Sequence, residues 1–353
     1  MQIFPKKVAL IALVLFVPQI ASVRAEKPAS LPDFSDIQLY STDSPFNQPI
    51  EAGAEIDPKS SRYIKTFKKA ATLLINLKQY SAPVYIAGSS TPRFDVELPC
   101  GEYWEIGVTK LLDVPIPDWA EPGNDTDGTI APEGCGEDSD QDNNMIVLDL
   151  DTRCEYDFWQ MRKTNGKWVA SWGNAISMDS DGVYPAGLST RGSGFAFLGG
   201  LIWPDELRNG KINHALVFAY PYTKNGGPVE PATDSDGTVK SKTALPEGAR
   251  LRLDPSLDLD ALDLTSAEKT IARALQEYGM FLVDNGGESG IGIYAVDPRS
   301  VLNNPYEGLL PDENYPELSG IPLGKFQVLK LSKQDKQWRK KLNIVNTGCN
   351  NFE

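Results

Sequence analysis

Histidine is almost absent from this 353-residue chain, and His214 is the only one. A multi-histidine metal centre is excluded, and any reaction that needs an imidazole has a single residue to use. Cysteine is scarce too. There are four, with no C-x-x-C pair, which excludes zinc-ribbon and thioredoxin-type motifs. Positive charge is in deficit: 34 Lys and Arg stand against 48 Asp and Glu, a formal net charge of -14. Phosphate neutralisation needs the opposite balance, so no nucleic-acid partner is expected. No internal repeat and no Pro- or Ser-rich linker divides the chain.

What is present is enough apolar and aromatic sequence for a sizeable core, at 41% and 9% of residues. Lys6 and Lys7, the apolar run Val8 to Ile20 and the small residues ending at Ala25 read as a signal peptide over residues 1–25. Its removal takes away Lys6, Lys7 and Arg24, so the expected mature chain, 26–353, is more acidic still. Nothing after residue 25 is apolar enough to span a bilayer, and a secreted protein, extracellular or periplasmic, is expected. In an oxidising compartment Cys100, Cys135, Cys154 and Cys349 form two disulfides. Three pairings are open, and Cys349 is expected to tie down the C-terminus.

Short runs rich in β-branched and aromatic residues, each bounded by Gly, Pro, Asn or Asp, dominate the pattern. They cover Ala82 to Ile86, Met145 to Leu150, Glu155 to Gln160, Lys167 to Trp172 and Ala215 to Tyr220. Further runs are Arg250 to Leu253, Met280 to Val283, Gly292 to Val296 and Phe326 to Leu331. Helix signals are few. Asp57-Pro58 precedes Tyr63, Ile64 and Phe67, and Pro204 to Arg208 is closed by Gly210. Thr265 to Glu268 is a capping box ahead of Ile271, Leu275 and Tyr278, with Gly279 at the end. The expectation is one all-β domain, a sandwich or jelly roll with a few short helices. The alternative is an α+β fold with helices on one face of an antiparallel sheet.

Glu155-Tyr156-Asp157-Phe158-Trp159-Gln160 alternates polar and aromatic side chains, so a strand here places Glu155, Asp157 and Trp159 on one face. Carboxylates beside an indole suit a sugar: the ring stacks on the apolar face of a pyranose while the carboxylates accept its hydroxyl hydrogens. Trp168 and Trp172, four apart on the next expected strand, share a face, with core packing as the competing role. Arg191 lies in a Gly-rich connection, Asp181 to Gly194, where its planar fork suits a carboxylate, either a ligand's or a neighbouring acid's. His214 falls on one face with Leu216, Phe218 and Tyr220.

Arg191 as carboxylate clamp with His214 and Tyr220 as acid and base are the parts of a lyase acting on uronic-acid polymers. That site requires the three to converge in one groove. Glycoside hydrolysis instead requires two carboxyls about 5 to 10 Å apart, and Glu155 with Asp157 is the first pair to inspect. Asp157, Trp159, Glu155 and Trp172 are the candidate substrate-binding residues. No Gly-x-Ser-x-Gly elbow supports a serine hydrolase, whereas a carboxyl peptidase, which needs no His, stays open. The acidic turns at Asp125, Asp138 to Asp142, Asp179 and Asp234 leave room for a structural calcium ion, though none matches an EF-hand loop. No cofactor is required by any of these chemistries.

Trp159 in its strand, Trp172-Gly173-Asn174, Ser189 to Gly194, Gly199 to Leu207, Ile212 to Leu216 and Tyr278 to Gly287 together resemble a family of secreted bacterial proteins. The resemblance covers most of the expected mature chain. It implies a shared exported fold and brings no activity with it, so function rests on the residues. The expectation is a secreted carbohydrate-active enzyme on a polysaccharide, a lyase first. A paired-carboxylate hydrolase and a non-catalytic glycan-binding protein are the alternatives.

Overall fold

The computed structural model describes residues 26–34, 37–125, 135, 141–286, 290–338 and 344–353. The expected leader and Asp138 and Asp140 of the acidic stretch lie outside the described residues. In chain order the first elements are α1 (Ser60–Phe67), β1 (Leu73–Asn76), β2 (Val84–Ala87), β3 (Arg93–Glu97), α2 (Pro99–Tyr103) and β4 (Lys110–Pro115). Then come β5 (Met145–Asp149), β6 (Cys154–Trp159), β7 (Arg162–Thr164), β8 (Lys167–Val169), β9 (Trp172–Ser177) and α3 (Pro204–Asn209). The last are β10 (Leu216–Tyr220), β11 (Arg250–Leu253), α4 (Ser266–Glu277), β12 (Met280–Asn285), β13 (Ile291–Tyr294) and β14 (Phe326–Val328).

The fold is sheet-rich with a few short helices. Six strands form the largest sheet, in the order β1-β13-β10-β12-β11-β14, and two four-stranded sheets run β2-β5-β6-β9 and β4-β3-β8-β7. All three are mixed: β1 with β13, β10 with β12, β2 with β5 and β3 with β8 pair in parallel. A parallel pair needs a long crossover, and the connection from β10 to β12 accordingly carries α4.

Alternation along β10 and β12 divides the interior in two. Leu216, Phe218, Tyr220, Met280 and Leu282 face a cluster completed by Phe67 of α1 and by Ile271 and Leu275 of α4. Val217, Ala219, Phe281 and Val283 face the opposite cluster, shared with Val147, Phe158 and Val96 of the smaller sheets. α4 forms as its sequence dictates. Thr265 Oγ1 accepts the Glu268 N–H at 3.2 Å, Glu268 Oε2 accepts the Thr265 N–H at 2.8 Å, and Gly279 at φ 70° turns the chain into β12. α1 starts at Ser60, two residues past Pro58. Asp57 still orders the approach by accepting the Lys59 N–H at 2.8 Å.

Lys167 to Trp172 is not one strand. Trp168 lies on β8, while Trp172 opens β9 in a different sheet, so the two indoles share no strand face. The cysteines pair as Cys100–Cys135 and Cys154–Cys349. The second bridge fastens the C-terminal segment to β6, and Phe352 then bridges to Leu111 of β4. Among the described residues no helix is long and apolar enough to cross a membrane.

Candidate functional site

A cleft of about 1180 Å³ opens where one face of the largest sheet meets the ends of β6 and β9. That exceeds the roughly 300–1,000 Å³ of small-molecule pockets. Among the described residues four carboxyl groups line it, Asp142, Asp234, Asp236 and Asp284, against one cation, Arg191.

Asp284 reaches the cleft through a break in strand alternation. β10 and β12 pair in register up to Phe218 and Leu282, after which Ala219 pairs with Asp284, leaving Val283 as an extra residue. Such a bulge re-aims the side chains beyond it. Val283 packs into the core and Asp284, next along, lines the cleft beside Ala219. Its Oδ1 accepts the Gly192 N–H at 2.8 Å, the Tyr294 hydroxyl donates to Oδ2 at 3.4 Å, and Arg191 Nε lies 3.8 Å from Oδ2. Burial pushes the carboxyl up to about 8 even though Arg191 opposes the shift, and the charge of Asp236 adds to it. At neutral pH Asp284 is mostly protonated.

Asp236 also packs against Gly192. A Cβ on Gly192 would stand 2.6 Å from the Asp236 carboxyl carbon, so only glycine admits the approach. Behind Asp236, Glu247 is fully buried and accepts the Asp236 N–H at 3.0 Å. Burial, then the charge of Asp236 and a hydrogen bond to it, push Glu247 far above the carboxylate range. Burial raises Asp236 as well, while the Glu247 hydrogen bond lowers it. Burial thus disfavours the charged form at both members of this pair. Protein walls surround Asp236 on most sides, yet its side chain is exposed to water through the cleft mouth. Asp142, pushed by burial to about 6, accepts the Trp159 indole N–H at 2.9 Å.

Aromatic rings and unsatisfied polar atoms complete the walls. Trp104, Trp159, Trp172, Tyr80, Tyr294 and Tyr315 line the cleft. Among the described residues Asn144 Oδ1, Thr190 Oγ1, Arg191 Nη2 and Asn285 Oδ1, also in cleft residues, have no hydrogen-bond partner. Buried polar atoms are rarely left so.

The structure brings three of the sequence candidates to the cleft: Arg191, Trp159 and Trp172. Arg191 is not free to clamp a ligand carboxylate with its full fork. Its Nη1 donates to Gly199 O at 2.9 Å and Ala196 O at 3.3 Å, and the guanidinium lies over Phe197 and Tyr294, 4.3 and 5.1 Å from the ring centres. His214 and Tyr220 do not join it. The His214 ring sits between the Ala215 carbonyl (3.0 Å from Nδ1) and Glu206 of α3 (2.9 Å from Nε2). Tyr220 is fully buried among Phe67, Phe218 and Tyr222, on the opposite face of the sheet from Ala219. The face shared by His214, Leu216, Phe218 and Tyr220 is thus interior.

Glu155 and Asp157 are likewise fully buried, so neither is available to substrate. The Tyr40 hydroxyl donates to Glu155 Oε2 at 2.5 Å and the Leu198 N–H to Oε1 at 2.8 Å. Tyr184 OH and Phe197 N–H donate to Asp157 Oδ2 at 3.2 and 3.1 Å. The strand face predicted for sugar contact begins as interior and reaches the cleft only at Trp159. Trp168 is buried, with the Lys163 ammonium 4.8 Å from its ring centre.

The acidic turns act as backbone acceptors. Asp125 takes the N–H groups of Tyr80, Asp142 and Asn143, Asp234 those of Gly187 and Ser235, and Asp179 pairs with Arg153. Among the described residues no group of three or more His, Cys, Asp or Glu is arranged to hold a metal ion.

Sequence reasoning missed Asp284, Asp236, Asp142 and Glu247 as a site. Asp236 and Asp142 belong to the acidic turns. Asp284 has a usable signal, a carboxylate ending an apolar strand just before Gly286-Gly287, whereas Glu247 between Pro246 and Gly248 has none. Comparison of the chain with protein-family models, with curated proteins and with solved structures finds no match.

Proposed function

We propose that the protein is an exported glycoside hydrolase using Asp284 as general acid and Asp236 as base or nucleophile, on a polysaccharide that carries no uronic acid. The observation that carries this reading is a pair of carboxyls, Asp284 and Asp236, brought together at Gly192 in the cleft. Burial pushes Asp284 up to about 8, which suits a general acid, while Asp236 opens to water at the cleft mouth. Hydrolysis of a glycosidic bond needs one acid to protonate the leaving oxygen and one carboxylate on the other side of the sugar. The rings of Trp159 and Trp104 supply apolar platforms for the faces of sugar rings.

Charge and geometry both weigh against the lyase. Among the described residues the cleft lining holds Asp142, Asp234, Asp236 and Asp284 against Arg191, a balance that does not favour a polyuronate. The required convergence of Arg191, His214 and Tyr220 is absent. Two disulfides and the apolar leader expected over residues 1–25 support export.

The test is a panel of neutral, amino-sugar and uronate polysaccharides, with a protein substrate alongside. The hydrolase releases reducing ends from a neutral or amino-sugar polymer. Unsaturated uronate ends, detected by ultraviolet absorbance, restore the lyase. Cleavage of the protein alone moves the same carboxyls to a peptidase, and glycan retention without cleavage reduces the site to a binding module.

A further inference from the structure

We infer that Trp104 forms an additional sugar subsite at the rim of the cleft, stacking a pyranose ring of the substrate chain beyond those that contact the carboxyls. The inference rests on the glycan reading of the cleft and extends it from the site of chemistry to substrate length. Trp104 is one of the few large hydrophobic side chains with substantial exposure, 36%, and the neighbouring Tyr103 reaches 60%. An indole left in water at the edge of a cleft is a platform without its partner.

The ring is held in place by its surroundings. Trp104 caps α2, whose Cys100 is bridged to Cys135. Its N–H donates to Cys100 O at 2.9 Å, and the following turn closes with Glu105 N–H to Glu102 O at 2.9 Å and Ile106 N–H to Gly101 O at 2.8 Å. The flanking Leu98 and Val108 are buried and anchor both ends of the turn. The indole stacks against Trp159, with centroids 6.2 Å apart and planes at 24°, and leans on Trp172 at 6.3 Å. Phe352 in turn stacks on Trp172 at 6.0 Å. Four rings thus run as a continuous aromatic wall from the C-terminal segment to Trp159, whose indole N–H is bonded to Asp142. An immobilised ring loses little entropy on binding, which suits it to recognise a repeating chain. The wall carries no charge, so the ligand class is the apolar face of a pyranose.

The experiment compares kcat/KM on a ladder of oligosaccharides from the polymer that the protein cleaves, for wild type, Trp104→Ala and Trp104→Phe. The ratio of kcat/KM for long over short substrates falls about tenfold in Trp104→Ala, the change residing in KM, and Trp104→Phe recovers most of it. An unchanged ratio, with equal losses on short and long substrates or none on either, overturns the subsite and leaves the hydrolase standing. If no glycan is cleaved, the hydrolase reading fails and affinity electrophoresis of the same three proteins in long glycans reads the subsite. Retention abolished in Trp104→Ala upholds it. Equal retention overturns it, and a wild type that retains no glycan overturns it too.

Discussion

Of two buried carboxyl pairs in the molecule, only one meets water. Glu155 with Asp157 and Asp236 with Glu247 are each raised by burial. In the first pair the ligands are all protein: Tyr40, Tyr184 and two backbone N–H groups. In the second, Asp236 opens to the cleft while Glu247 stays behind it. A raised carboxyl therefore does not mark a catalyst by itself. What separates the pairs is access, created by a strand bulge that turns Asp284 outward and by a glycine that lets Asp236 approach it.

The largest expected effect is on chemistry. Asp284→Asn keeps the shape of a neutral carboxyl and removes its proton, so kcat on the cleaved glycan drops by about 10²–10⁴-fold with little change in melting temperature. Next comes the sealed pair. Asp157→Ala strands the Tyr184 hydroxyl and the Phe197 N–H inside the core and should cost about 3 kcal/mol in urea unfolding. Its kcat per folded molecule should change far less than that of Asp284→Asn. Equal catalytic losses in the two variants would erase the distinction between the pairs.

A third expectation concerns pH. Asp142, Asp284, Glu155 and Glu247 all hold protons more tightly in the folded state than in the unfolded chain. Stability from these groups is complete below the ordinary carboxylate range and is lost as pH rises, through about 6 for Asp142 and about 8 for Asp284. Calorimetry should show a melting temperature roughly 5 °C or more lower at pH 9 than at pH 5. A stability that climbs over that interval would contradict the protonation states assigned here.

The smallest effect belongs to His214. Burial acts to lower its pKa, but Glu206 and the Ala215 carbonyl outweigh that and the net shift is upward. Its contribution is full below the ordinary imidazole value and fades as pH rises through the raised one. His214→Ala should cost about 1–2 kcal/mol at pH 5.5, less at pH 9, and leave glycan hydrolysis intact. Loss of activity in that variant would revive an imidazole mechanism.

Much of the fold was legible because its signals are local. The capping box at Thr265, the terminator Gly279 and the apolar runs of β5, β6, β10 and β12 each mark an element without help from distant residues. Strands such as β3 and β7 were not legible. Arg93-Phe94-Asp95-Val96-Glu97 and Arg162-Lys163-Thr164 carry charge on an outer face and become strands through their partners. Within the site, Trp159, Trp172 and Arg191 could be found from residue type and spacing. The alternation that flagged Glu155, Asp157, His214 and Tyr220 identifies a common face and says nothing about whether that face is wet. Asp284 depends on a bulge, and Asp236 on an approach to Gly192 from over forty residues away in sequence. Neither follows from local pattern.

The most direct test is a carbon-13 NMR titration of the side-chain carboxyls in the folded protein, with Asp284→Asn for assignment. A resonance with a midpoint close to 8 that disappears in Asp284→Asn is the predicted result. If the Asp284 carboxyl titrates near 4, it is ionised at neutral pH, and its role as general acid is contradicted.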